Sequence, residues 1–196
     1  MSFIETVPPG DADGLLAELY EADRTAAGEL PNHTRAFSLR PEVYAAWRGL
    51  NAAVTANMDR RRYELATLAA ARRLRSSYCM LAHGAILAEA FLSEDQVRTA
   101  AVDPLEAGLD EVEVAVMGLA DAVAADATSV TQADIDRLRS LGLGDEEILD
   151  VILTSAMRAF FSKVLDATGA LADARFAALE PGLRDALTVG RPIAEA

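Results

Sequence analysis

Residues 64–83 read ELATLAAARRLRSSYCMLAH, and this stretch decides the fold. From Leu65 to Ala71 the residues are apolar on nearly every side of a helix. A helix without a polar face has to be enclosed by other elements rather than laid on a surface. Asn57 or Asp59 is placed to cap its start, and Arg72-Arg73-Leu74-Arg75 closes it. Ser76 or Ser77 then opens a second helix that carries Cys79 and His83 and runs to about Phe91.

The flanking sequence has the same character. Leu15, Leu16, Leu19 and Tyr20 recur at helical spacing between Asp13 and Ala27, and Gly28 to Asn32 reads as a turn. Pro41 suits a first helical position, and Val43, Ala46, Trp47, Leu50 and Val54 would share one face of the helix that follows. Ser93-Glu94-Asp95-Gln96 is a capping-box pattern. Asp110 to Ala125 is helical, and Thr131 to Asp134 opens a short helix. Asp145-Glu146-Glu147 starts a long one with acid at its positive end, stopped at Gly169. Its apolar residues, from Ile148 to Val164, spread over more than one face, so it is either central or covered by another subunit. No alternating run reads as a strand, and no linker divides the chain. The expectation is one all-α domain over residues 1–196, a bundle of roughly eight or more helices, with a loose tail after Leu187.

Composition narrows the function. Of 196 residues, 52% are hydrophobic and only 6% aromatic, which favours a helical core over sheet. The net charge of −13 would repel nucleic acid. No apolar stretch is long enough to span a bilayer, and Met1 to Gly10 has no basic start followed by an apolar run. With a single cysteine there is no intrachain disulfide, so a cytoplasmic protein is expected. With only His33 and His83 as histidines there is no cluster at metal-ligand spacing. No glycine-rich phosphate loop follows a strand. Neither metal nor cofactor is expected.

One constellation could carry chemistry. With Ser76 as N-cap, Cys79 is the third helical residue, near free backbone N–H groups that favour a thiolate. His83, four residues on, shares its face and could take the thiol proton. Arg75 and its neighbours would add positive charge; otherwise they are solvated helix ends. A lone cysteine is often just a small buried hydrophobe. Glu64, at the edge of the apolar run, needs a partner if buried, or else pairs with Arg60 or Arg61.

The spacing Glu64, Ser76, Cys79, His83 resembles the E-x11-C-x2-C-x3-H signature of the AhpD-like, carboxymuconolactone decarboxylase superfamily, with serine at the first cysteine. Leu30-Pro31-Asn32, Arg35-Ala36-Phe37-Ser38, Pro41, Ala46-Trp47, Tyr63 to Ala66, Leu92-Ser93-Glu94 and Lys163 to Gly169 resemble its peroxidase-related branch. The resemblance implies an all-α homo-oligomer, a trimer or hexamer. It implies Cys79 as the thiol that attacks a peroxide, His83 as base and Glu64 as relay acid, with the proton passing partly through water. Ser76 stands where the resolving cysteine belongs and cannot form a disulfide. An external thiol reductant would have to complete the cycle, and Ser76 would cap the helix or bond the thiolate. Two other readings stand beside this one. The first is a non-redox acid/base enzyme on a small organic acid. The second is a non-catalytic oligomer that binds a small ligand.

Overall fold

The computed structural model describes residues 2–195. Among the described residues ten α-helices follow one another: α1 (Gly14–Ala27), α2 (Asn32–Ala36), α3 (Pro41–Thr55), α4 (Arg60–Leu74), α5 (Ser77–Ala90), α6 (Glu94–Val102), α7 (Glu111–Asp126), α8 (Gln132–Ser140), α9 (Asp145–Thr168) and α10 (Pro181–Leu187). There is no strand among the described residues, only an isolated bridge between Ala172 and Ile193. The all-α expectation holds.

Helix α4 is the axis of the bundle. Leu65, Ala66, Leu68, Ala69, Ala70 and Ala71 are all fully buried, with α5, α7 and α9 packed around them. The alanines keep those neighbours close, and the leucines supply most of the apolar area removed from water. The start and stop signals act as read. The Asp59 side chain accepts from the Arg62 N–H, Ser93 and Gln96 close a capping box, and Gly169 ends α9 in the left-handed region at φ 77°.

Two expectations need correction. The stripe on α3 faces largely outward: Val43 and Leu50 are exposed, while Tyr44 is buried in their place. Helix α9, read as central or covered by another subunit, leaves Leu149, Leu153 and Phe160 exposed on one side, as the second alternative allows. The tail is not loose either. Gly190 N–H donates to Ser77 Oγ at 2.8 Å, Ala194 N–H to the Ala172 carbonyl at 2.9 Å, and Arg191 Nε to the Asp166 carbonyl at 3.0 Å. A Cβ at residue 190 would run into the Arg75 carbonyl oxygen, a backbone atom that cannot swing aside. Gly190→Ala is therefore expected to cost about 1–3 kcal/mol, read as a lower urea midpoint with an unchanged m-value.

Candidate functional site

Cys79 lies in the first turn of α5 and is 1% exposed. Its sulfur faces α9, where Ser162 Oγ donates to Sγ at 3.2 Å and Arg158 Nη1 stands 3.7 Å away. Arg158 and Ser162 are four residues apart, so both reach the sulfur from one face of α9. Arg158 is 2% exposed, and its other amino group donates to Tyr63 Oη at 3.1 Å. Burial works against its charge, yet Cys79 and then Tyr63 carry its pKa above the ordinary arginine value. Among the described residues no carboxylate pairs with it; its polar partners are the sulfur and the phenol. A buried cation needs a counter-charge, and the sulfur is placed to be one.

The arginines expected to serve the thiol do other work. Arg72 and Arg73 both bind Asp121, and Arg75 Nε reaches the Val189 carbonyl at 3.3 Å. Arg61 pairs with Glu113, which leaves Glu64 to a different partner.

That partner is His83. Glu64 is 4% exposed, and its Oε2 lies 2.5 Å from His83 Nδ1. Burial, and then the Arg158 charge, hold the His83 pKa below its ordinary value, although Glu64 pulls the other way. A neutral imidazole whose Nδ1–H donates a hydrogen bond to Glu64 keeps the Nε2 lone pair for a substrate or water. No hydrogen bond joins His83 to Cys79 among the described residues. Residues four apart on a helix are offset by about 40°, so Cys79 points to α9 and His83 to α4. Both nevertheless line one cavity of about 180 Å³, walled also by Trp47, Tyr63, Arg158 and Phe161. The Trp47 and Phe161 rings stack at 4.1 Å.

Ser76 is the N-cap residue, as expected, but its hydroxyl makes no capping bond. Nor does it bond the thiol: it is fully buried without a hydrogen-bond partner. The nearby Asp166 carboxyl, pushed up by burial and partly offset by that hydroxyl, falls short of hydrogen-bond geometry with it.

Both histidines are held neutral by burial, His33 with a pKa of about 4. The unfolded chain takes up protons near 6.5, where the folded chain does not. The His33 contribution to stability is thus complete above pH 6.5 and is lost as pH falls towards 4, and His83 acts in the same direction. His33 alone accounts for about 3 kcal/mol of that loss. Asp166, pushed upward by burial, works in the opposite sense over the carboxylate range. Urea titrations at pH 7 and pH 4.5 check this, with His33→Gln expected to flatten the difference.

The fold and site together describe a helical bundle built around a lone buried thiol with a carboxylate–imidazole pair beside it. Residues 41–122 match the Carboxymuconolactone decarboxylase family. In structure it is similar to an uncharacterized peroxidase-related protein with an alkylhydroperoxidase AhpD core from Ralstonia eutropha JMP134. The identity is 21% and the TM-score 0.82, covering 89% of this chain and 94% of the other. It is also similar to an uncharacterized peroxidase-related protein from Silicibacter sp. TM1040, with 20% identity, TM-score 0.77 and coverage of 85% and 91%. A third likeness is to the debrominase Bmp8, with 16% identity, TM-score 0.71 and coverage of 94% and 96%. At these identities the likeness establishes the fold. No curated protein matches the sequence.

Proposed function

We propose that this protein is a one-cysteine thiol peroxidase acting on hydrogen peroxide or a small organic hydroperoxide. The observation that carries the reading is the Cys79 sulfur facing a buried guanidinium that has no carboxylate partner. The thiol proton passes to His83, backed by Glu64, through a water or the substrate in the shared cavity. The sulfur attacks one peroxide oxygen; the S–O bond forms, the O–O bond breaks, and the departing alkoxide or hydroxide takes the proton from His83. Cys79 becomes a sulfenic acid and the peroxide an alcohol or water. One external thiol condenses with the sulfenic acid, releasing water and leaving a mixed disulfide. A second thiol reduces that disulfide and leaves as the oxidised dimer. A cavity of about 180 Å³ suits a small peroxide. The peroxidase-related structures with this fold support the same reading.

The aromatic walls favour a second reading, in which the sulfur takes bromine from a flat brominated ring as the ring carbon gains a proton, one external thiol displaces bromide from the sulfur as a mixed disulfide, and a second thiol reduces that disulfide. Bmp8 is a debrominase, and a Cys→Ala variant of it was captured with 2,3,4-tribromopyrrole. Under either reading the exposed α3 and α9 residues, Val43, Leu50, Leu149, Leu153 and Phe160, support assembly as a homo-oligomer.

The deciding experiment supplies a small thiol with hydrogen peroxide, or with a brominated pyrrole, and follows peroxide loss and bromide release. Peroxide loss that disappears in Cys79→Ser is the expected result. Bromide release alone would move the assignment to dehalogenation. Activity on a small organic acid that survives Cys79→Ser but not His83→Ala would overturn both in favour of acid/base chemistry. Ser76→Cys should restore an internal disulfide with Cys79 and permit turnover with a dithiol.

A further inference from the structure

The second histidine is not part of the site described above, yet it lines the same cavity. His33 Nδ1 lies 3.1 Å from Tyr78 Oη, and its Nε2 lies 3.1 Å from Tyr44 Oη. Each phenol in turn reaches a carboxylate: Tyr78 Oη to Asp173 Oδ2 at 2.6 Å, and Tyr44 Oη to Asp23 Oδ2 at 2.7 Å. Five side chains thus form one file, Asp23, Tyr44, His33, Tyr78, Asp173. Asp23 sits near the surface beside Arg48, while Asp173 lines a separate outer cleft of about 620 Å³. Tyr78 and His33 form part of the wall of the thiol cavity.

Counting protons gives the file a property that a static scaffold lacks. It has four links. With both carboxylates ionised and the imidazole neutral it has three protons, one on each phenol and one on the ring. One link is therefore always unmade. Moving the ring proton from Nδ1 to Nε2 takes one proton in from solvent at Asp23 through Tyr44 and passes one out to the cleft through Tyr78 and Asp173, and it moves the gap from one side of His33 to the other. We propose that His33 is the exchange point of a proton file joining the thiol cavity to the outer cleft through Tyr78 and Asp173, separate from the Glu64–His83 pair. The groups facing His33 are Asp23 from α1, Tyr44 from α3, Tyr78 from α5, Arg158 from α9, and Asp173 and Arg175 beyond it. The carboxylates favour the imidazolium, but burial outweighs them and the arginines oppose it. The ring therefore stays neutral at pH 7 and the gap persists.

Because the chain has only two histidines, the imidazole nitrogens can be observed directly by 15N NMR. In the wild-type protein between pH 6 and 8 the two His33 nitrogens should resonate at averaged positions, as two tautomers in exchange. Tyr44→Phe removes the Nε2 partner and should fix the proton on Nδ1; Tyr78→Phe should fix it on Nε2. A single wild-type tautomer that neither substitution moves would overturn the file. A kinetic arm rests on the peroxide reading and follows Cys79 oxidation through the fluorescence of Trp47. His33→Gln should slow oxidation at pH 7 by about tenfold or more and reduce its solvent isotope effect. An unchanged rate would show that the file does not serve the thiol. If the wild-type thiol is not oxidised at all, the peroxide reading fails, and the tautomer measurement alone decides the file.

Discussion

Arg158→Met is expected to slow the reaction of Cys79 with peroxide by about 10²–10³-fold while leaving the protein as stable as before, within about 1 kcal/mol. The two halves of this result have one cause. The guanidinium is buried against the sulfur with no carboxylate at hand, so its value lies in stabilising negative charge there. Its removal takes a buried positive charge out of the core and strands no carboxylate without a partner. Methionine fills much of the vacated volume. A purely structural arginine would behave in the reverse way, with a loss of several kcal/mol on replacement. Urea denaturation beside stopped-flow oxidation separates the two.

Glu64→Gln should produce the second large effect, a loss of about 10²-fold in the same oxidation rate with little change in stability. Glutamine still offers an oxygen to His83 Nδ1–H, so the buried donor remains satisfied. What disappears is the negative charge that raises the imidazole's proton affinity against burial and Arg158. The base becomes weaker and the pH dependence of oxidation should move to lower pH. Glu64→Ala, which also leaves the buried Nδ1–H without a partner, should add about 1–3 kcal/mol of destabilisation.

The architecture could be read from the sequence because helices announce themselves locally. The apolar Leu65–Ala71 run, the Ser93–Gln96 box and the Gly169 stop are all short-range signals, and each appears where expected. The carboxylate–imidazole pair was legible only through the family resemblance, which joins Glu64 and His83 in one relay; the residues alone pointed Glu64 to Arg60 or Arg61, and it meets His83 instead. The partners of the sulfur were not legible. Arg158 and Ser162 lie about eighty residues beyond Cys79, and nothing local ties α9 to α5. The available signal was weak: one arginine set among Met157, Ala159, Phe160 and Phe161 in an apolar stretch. The arginines adjacent to Cys79 in sequence were misleading for the same reason, since helix geometry turns Arg72 and Arg73 towards Asp121 on α7. His33 offered no pattern at all, because its partners come from α3 and α5 and their carboxylates from α1 and the segment after α9.

The central claim is that Cys79 is a peroxide-reactive nucleophile despite its burial. Wild-type protein treated with stoichiometric hydrogen peroxide and a sulfenic-acid trap, then digested and weighed by mass spectrometry, tests it directly. The account predicts the trap on Cys79 at peroxide doses that leave a free cysteine standard untouched, and its loss in Arg158→Met. An unmodified Cys79 under conditions that oxidise the standard would contradict it.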